Sequence, residues 1–514
     1  MGSSLPSEKL AEAMEGLGMP VDSFEDGIFT VDITPNRIDL LSVEGMARAI
    51  AAFTNEKPGL REYRAEESSY ALTIDKSVRS VRPYMVMALA KGVEINESLL
   101  KSIINIQEKV HDTFGRKRKK VSIGMHDADR VHAPFTYLCM KQHEFIPLDR
   151  SEKMTCSQIL NEHEKGVAYA HLVERGKFPI LVDKNGDVLS FPPIINGELT
   201  RVTEKTRNLL IDITGTSLQA LNDALNVICA MLADRGASIH AVKTTDGMTP
   251  DLAPRETKFD LKKACKLLGV QVSEGDAEKL LGRMGHKYEK GVVYSPCYRA
   301  DIMHWVDLAE DLAIALDYNR LPNTLPGFSS IGAPLDNHEH HRQAMVGLGY
   351  TEAVTFTLTN KRANFEMVGL PAGEMVDTIN PLAADYTSLR THLLPSLLAV
   401  LALNKTQPFP QKLFEIGKVY ADAKTLAEAT ELCALSTHAH SSFAEAKSAL
   451  EALAGELNLA LTLEPMDHPS LEPGRSCEVK VGGNVVGWVG EISTPVLKNF
   501  DLEQRVAGFW IRLL

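Results

Sequence analysis

Four acidic side chains near residue 300 could do chemistry. Asp307, Glu310 and Asp311 lie three and four residues apart in a segment whose apolar residues recur at helical spacing. This spacing predicts that the three share the outer face of a helix, opposite its apolar residues. Asp301 precedes the helix by one loop, within reach of the same point.

Carboxylates crowded in this way repel one another, by roughly 0.2–0.5 kcal/mol for each helical neighbour pair. A hard cation with oxygen ligands reverses that penalty, so the cluster predicts a Mg²⁺ site. Acidic residues near a helix start also favour the helix dipole, and a charged outer face is common. The residues alone leave both interpretations open.

The polar residues around His126 form a second candidate site. His126 and Asp127 come directly after a predicted strand, where a histidine could act as a general base or orient a water molecule. Asn196 and Glu198 follow two prolines that fix the backbone of a loop, with Asp212 downstream. A turn-capping aspartate and polar groups that satisfy the backbone would explain the same pattern.

Residues 115–120, with the sequence Gly-Arg-Lys-Arg-Lys-Lys, are the one dense basic run. Such a run could contact phosphates, and each contact would add salt dependence to binding. More often it is a solvated hairpin or helix end.

The last third of the chain contains Arg390 at the end of a predicted strand and Glu415 in an apolar strand. These elements could frame a nucleotide site, or they could be core with one buried Arg–Glu pair. The sequence contains no Gly-rich phosphate loop that ends in Lys-Ser/Thr and no Gly-Xaa-Ser-Xaa-Gly motif.

The elements that must position these residues belong to several domains. With 514 residues the chain exceeds what one core supports, so we expect an α+β multidomain protein. The clearest predicted elements are strands at 84–91, 121–125 and 209–213 and a helix at 218–234. The predicted domains are a small mixed one at 1–60, a strand-rich one at 70–245, a helical one at 250–325 and a mixed one at 330–514.

The composition suits a cytoplasmic protein without a membrane segment. Hydrophobic residues make up 44% and charged residues 24%, and no apolar run is long enough to span a bilayer. Seven cysteines without a CxxC pair argue against a zinc ribbon or a disulfide framework. Because the net charge is −12, contact with RNA requires local basic patches.

Several segments, taken in order, resemble the β subunit of phenylalanyl-tRNA synthetase in its archaeal and eukaryotic cytosolic form. The first is Thr-Pro-Asn-Arg-Ile-Asp-Leu-Leu-Ser-Val-Glu-Gly at 34–45, in which Ile38 stands where a proline is usual. The editing module of the family is resembled by residues 118–127 and 192–216, and its Mg²⁺-binding module by residues 296–311. Its catalytic-like domain is resembled by four segments, 380–398, 414–419, 468–475 and 487–492.

The resemblance implies a subunit of an α2β2 ligase that attaches phenylalanine to tRNA(Phe) with ATP. ATP and phenylalanine would bind mainly to the α subunit, and aminoacylation would not occur on this chain. A winged-helix-like helical module and a degenerate class II synthetase-like antiparallel sheet with helices are implied as well. The implied Mg²⁺ ligands are Asp301, Asp307, Glu310 and Asp311.

The resemblance also implies that this chain hydrolyses misacylated tyrosyl-tRNA. A mainly apolar synthetic pocket rejects the extra hydroxyl of tyrosine only modestly, whereas a second pocket that hydrogen-bonds this hydroxyl can select the error. The candidate residues for that pocket are Glu198, Asn196 and His126. The alternatives are a stand-alone editing hydrolase, a tRNA-binding scaffold and a metal-dependent phosphohydrolase.

Overall fold

Helices and sheets are combined in two units, residues 1–326 and 327–514, in a computed structural model that describes residues 5–325, 327, 332, 338–420 and 423–513. This mixture confirms the α+β multidomain class. Among the described residues, no helix is long and apolar enough to cross a membrane.

The first unit begins with a two-stranded hairpin between two helices. Ser42 caps the second helix, because its hydroxyl accepts a hydrogen bond from the main-chain N–H of Gly45 at 3.1 Å. A side chain at Gly45 would collide with the carbonyl oxygen of Asp39, so this turn requires glycine. The elements are α1 (Ser7–Gly16), β1 (Val21–Glu25), β2 (Ile28–Val31) and α2 (Val43–Phe53).

A strand-rich region follows. Its strands are β3 (Glu66–Ile74), β4 (Tyr84–Lys91), β5 (Val121–Asp127), β6 (Phe135–Met140), β7 (Glu144–Phe145), β8 (Met154–Thr155), β9 (Phe178–Val182), β10 (Val188–Phe191), β11 (Ile195–Asn196), β12 (Asn208–Gly215), β13 (Ser238–Thr244) and β14 (Gly247–Thr249). Its helices are α3 (Glu97–Asp112), α4 (Cys156–Glu162), α5 (Glu164–Tyr169) and α6 (Leu218–Asp234).

Ten of these strands form one mixed sheet within the described residues, in the order β11-β10-β9-β6-β3-β13-β4-β12-β5 with β14 beside β13. Helix α6 packs on this sheet through fully buried residues that include Leu221, Leu225 and Ile228. The two edge strands approach each other, since the side-chain amide of Asn196 on β11 donates to the carbonyl of Met125 on β5 at 3.2 Å. The sheet is therefore nearly closed.

The last part of the first unit packs three helices against a three-stranded sheet. Helix α9 starts with a capping box, in which His304 and Asp307 each bond the other's main chain. The elements are β15 (Arg255–Lys258), α7 (Leu261–Leu268), α8 (Glu274–Arg283), β16 (Lys287–Glu289), β17 (Val292–Ser295) and α9 (Trp305–Leu316).

The second unit contains one larger sheet with helices on both faces. Its elements are α10 (Glu339–Gly347), β18 (Thr351–Glu352), β19 (Leu358–Thr359), β20 (Ser388–Leu389), α11 (Leu394–Leu403), β21 (Gln411–Tyr420), β22 (Glu428–Thr437), α12 (Phe443–Glu456), β23 (Leu461–Pro465), β24 (Leu471–Val481), β25 (Asn484–Ile492), α13 (Thr494–Asn499) and β26 (Val506–Leu513).

Within the described residues, seven of these strands form the sheet β18-β21-β22-β26-β25-β24-β23, antiparallel except for the pair β18–β21. Alternation along β21 places Val419 in a core with α11 and Phe414 in a core with α12. The two faces of the sheet are thus buried by different helices.

Candidate functional site

A pocket lies at the seam where the edges of the first unit's large sheet approach each other. It encloses about 430 Å³, part of it open to solvent. Strands β5, β10, β11 and β12 line it, with Ser122, Ser190, Asn196 and Asp212 among the lining residues, and residues 192–194 form one wall. Polar side chains from separate strands therefore converge on one cavity.

The carboxylate of Asp212 forms a buried pair with His126 at the base of this pocket. Oδ2 of Asp212 lies 2.6 Å from Nε2 of His126, and both side chains are almost completely buried. Nδ1 of the same ring lies 2.7 Å from the hydroxyl of Thr200. The imidazole is thus fixed at both nitrogens.

Thr200 holds the ring from the side opposite Asp212. Its hydroxyl lies 2.7 Å from Nδ1 of His126 and is also within hydrogen-bond distance of the carbonyl oxygen of Gly197, at 3.2 Å. The 2.6 Å contact between Nε2 and Asp212 requires a proton between the two atoms. A carboxylate and an imidazole joined in this way beside a cavity suit acid–base chemistry.

Gly124 makes room for this pair. A methyl group at Gly124 would lie 2.3 Å from Oδ2 of Asp212 and 3.0 Å from Nε2 of His126. Any side chain at this position would push the two apart, because real Cβ atoms do not approach so closely. Glycine here is a requirement of the site.

The structure brings two of the three predicted editing residues together. Asn196 lines the pocket, and His126 lies behind Asp212. Glu198 is outside the lining, where both of its carboxylate oxygens accept bonds of 2.7 Å from Arg201. The hydrogen bonds from Arg201 lower the pKa of Glu198, so this side chain is held as a carboxylate in an ion pair.

The sequence placed Asp212 downstream of the loop in the second candidate site, but it gave no role to this residue, which is central to the pocket. The available signal was an aspartate inside the apolar run of β12, where a charge is buried only with a partner. The partner was not readable from spacing, because His126 is 86 residues away and meets Asp212 across neighbouring strands.

Three of the four predicted Mg²⁺ ligands are bound by this chain's own donors. The guanidinium of Arg299 binds Asp301 through two hydrogen bonds, at 2.8 and 2.7 Å, and binds Asp311 at 2.7 Å. His286 also contacts Asp311 at 2.7 Å. The carboxylate of Asp307 accepts from the main-chain N–H groups of residues 303 and 304, both at 2.7 Å.

The prediction that Asp311 lies on the outer face of α9 with Asp307 and Glu310 is wrong. Asp311 is 3% exposed, whereas Glu310 is exposed. Burial is compatible with its charge because Arg299 and His286 surround it.

These residues, as arranged, do not fit a magnesium ion. The positive charge that offsets Asp301 and Asp311 is the guanidinium of Arg299, at the point where the prediction placed the cation. Among the residues that the structure describes, no three His, Cys, Asp or Glu side chains are grouped to hold a metal. The Mg²⁺ site stays a prediction.

In the second unit, Arg390 and Glu415 form the buried pair that the sequence left as one alternative. The guanidinium lies 2.7 Å from the carboxylate, and both side chains are at most 4% exposed. Arg390 also donates to Thr355 and to the carbonyl of Lys418. The structure therefore gives these two residues an internal, structural contact.

Three families match successive parts of this chain. Residues 68–230, which contain the pocket, match the B3/4 domain, and residues 257–318 match the tRNA synthetase B5 domain. Residues 321–513 match the family described as the phenylalanyl tRNA synthetase beta chain CLM domain. Together with the fold, these matches define a subunit of an aminoacyl-tRNA synthetase.

Relatives that match over most of their length show which synthetase this is. The phenylalanine–tRNA ligase beta subunit of Methanococcus maripaludis is 39% identical, with 94% of this chain and 90% of the relative covered, and that of Archaeoglobus fulgidus is 37% identical, with 97% and 93% covered. The chain belongs to the family of phenylalanine–tRNA ligase β subunits. An N-terminal fragment of the β subunit from Pyrococcus horikoshii matches in structure with a TM-score of 0.59 and 37% identity, over 61% of this chain and 95% of the fragment.

Proposed function

We propose that this chain supports phenylalanylation of tRNA(Phe) as the partner of an α subunit, and that its pocket hydrolyses tyrosyl-tRNA(Phe). The observation that carries the second part is the buried Asp212–His126 pair beside a cavity lined by polar groups. An α2β2 assembly, with ATP and phenylalanine on the α subunit, belongs to the same proposal. The seven cysteines are free thiols, which supports a location in the reducing cytoplasm.

The proposed reaction breaks the ester between the amino acid and the terminal ribose. Water adds to the ester carbonyl carbon, the bond to the ribose oxygen breaks, and a proton passes to that oxygen. The carboxylate of Asp212, hydrogen-bonded to His126, lines the cavity and can take one proton from the water and return it to the ribose oxygen. Asn196 and Ser190 line the cavity and can hydrogen-bond a tyrosine hydroxyl, which phenylalanine lacks.

The substitution Asp212→Asn tests this assignment. Asparagine keeps the shape but removes the carboxylate, so we expect deacylation of tyrosyl-tRNA to slow by about a hundredfold. The measurement is the single-turnover rate of deacylation by the full chain. Asp187→Asn changes an exposed aspartate in the turn before β10 and is expected to keep the wild-type rate.

Glu198→Ala, in the same assay, decides the sequence-based role of Glu198. A normal rate would remove this residue from the site, and a slow rate would return it there. Normal deacylation by Asp212→Asn would contradict the proposed chemistry.

An exposed apolar surface on the second unit supports the contact with an α subunit. Phe356, Ile379 and Leu382 are 73%, 95% and 106% exposed, respectively. They belong to adjacent segments, since β19 pairs with β20 and the ring of Phe356 packs on Tyr386 at 5.6 Å. Large apolar side chains exposed together are typical of protein–protein interfaces.

We expect Phe356→Ser combined with Leu382→Ser to weaken association with the α subunit by roughly ten- to a hundredfold, because such side chains act as interface anchors. Both side chains are exposed, so the fold of the chain should be unaffected. The measurement is the affinity of the two purified subunits together with phenylalanylation activity. Val485→Ser, at an exposed apolar position on β25, is the control. Unchanged affinity in the double variant would place the interface elsewhere.

A further inference from the structure

The dense basic run forms a tight turn with an unusual backbone. Arg116, Lys117 and Arg118 have φ values of 51°, 52° and 65°. Consecutive residues with side chains rarely adopt this left-handed conformation, and they persist in it only where surrounding contacts determine it. Arg116, Lys117 and Lys119 are exposed, whereas Arg118 is 4% exposed.

The side chain of Arg118 makes the contacts that hold the turn in this conformation. Its guanidinium donates to the carbonyl oxygens of Pro193 and Ile194, at 3.3 and 2.9 Å, and to Glu108 at 3.2 Å. It also stacks over the ring of Tyr169, with 4.4 Å between the guanidinium carbon and the ring centre. The turn is thus fastened to the loop at 192–194, which is a wall of the editing pocket.

The exposed cations flank Arg118, which lines this pocket. Arg118 lines the pocket, as does Lys165, whose amino group lies 3.6 Å from Glu108. Within the described ranges of the chain, Arg116, Lys117 and Lys119 have no acidic side chain within ion-pair distance. Three uncompensated cations in one turn stand out in a chain whose net charge is −12.

We propose that Arg116, Lys117 and Lys119, here called the basic turn, bind the phosphates of the single-stranded RNA end whose ester enters the pocket. This proposal rests on the proposed editing function. Backbone phosphates attract lysine and arginine whatever the base sequence, and their release of counterions makes such binding salt-dependent. The buried Arg118 holds the turn in register with the pocket, so the bound strand would point its terminal ribose toward Asp212.

The test is a variant in which Arg116, Lys117 and Lys119 are all replaced by alanine, in the full chain. Binding of unacylated tRNA(Phe) is measured against salt concentration. Because this variant has no side chains to neutralise three of the phosphates, we expect the slope of log affinity against log salt to be shallower by about 2, and affinity at low salt to fall at least tenfold. In deacylation of tyrosyl-tRNA, KM should rise while kcat is kept. Hydrolysis of tyrosyl-adenosine, which has no RNA backbone, should be unchanged.

The matched control removes the same charge from a different surface, by Lys262→Ala, Lys263→Ala and Lys266→Ala on the exposed side of α7. A control variant with the same reduction in slope, or a basic-turn variant with the wild-type slope, would overturn the proposal. If the wild-type chain hydrolyses neither ester but the two slopes still differ, the RNA contact stands and the proposed editing function fails.

Discussion

Replacing Arg299 with methionine is expected to lower the free energy of unfolding of the first unit by about 3–5 kcal/mol. Arg299 is 2% exposed and donates to Asp301 and Asp311 together. Without it, the largely buried carboxylates of Asp301 and Asp311 lose the cation that binds them both, and Arg37, which also acts on them, is paired with Asp39. The positive charge of Arg299 holds the pKa of Asp301 and of Asp311 below the ordinary value against the opposing effect of burial.

The measurement is hydrogen exchange of the peptides around β16 and α9, followed through increasing urea, since this reports on local stability in a multidomain chain. Arg201→Met is a matched control, because Arg201 also binds two carboxylates, Asp149 and Glu198, but at an exposed site. An exposed pair of this kind contributes about 0–1 kcal/mol.

A second substitution separates charge from packing. If the loss comes from the unpaired carboxylates, Asp301→Asn and Asp311→Asn introduced together into the Arg299→Met chain should recover much of the stability. An undiminished loss of stability would show that the packing volume of Arg299 is responsible.

The sequence-based magnesium site has its own test. Stabilisation of the wild-type chain by added Mg²⁺, abolished in Asp307→Asn, would support that site.

Regular elements were predictable where local pattern decides the structure. The helix predicted at 218–234 and the strand predicted at 84–91 have these bounds in the structure, because both are long apolar segments between clear turn signals. The strand predicted at 209–213 extends to Asn208–Gly215, since its ends pair with both neighbours in the sheet.

The sites were less predictable, because partners distant in sequence decide the position of a charged side chain. Helical spacing assigned Asp311 to the outer face with Asp307 and Glu310, yet its contacts with Arg299 and His286 lie in the core. Asp212 is central to the pocket only because β12 lies beside β5, which carries Gly124 and His126. Neither the contacts of Asp311 nor the pairing of β12 with β5 can be predicted from helical or strand periodicity.

The stability of the second unit should depend on pH through one buried glutamate. Glu431 on β22 is 1% exposed, and in the described structure its Oε2 has no hydrogen-bond partner. Gly417 on one neighbouring strand and Arg512 on the other lie opposite it, and the Arg512 guanidinium is 3.9 Å away and half exposed. Arg390, paired with Glu415, is the other cation that acts on it. Burial outweighs these cations and raises the pKa of Glu431 from 4.5 to about 7.

Between these two pKa values the unfolded chain releases a proton that the folded chain retains. The contribution of Glu431 to stability is therefore greatest below pH 4.5, falls as the pH rises to 7 and is constant above it, with a total loss of about 3 kcal/mol. Glu431→Gln should remove this dependence and make the second unit more stable than the wild type at pH 8, with little difference at pH 4.5. Urea unfolding of both chains in a Trp305→Phe background measures it, because the remaining tryptophans, Trp488 and Trp510, lie in the second unit. Parallel pH profiles of the two chains would show that Glu431 is already ionised in the folded state.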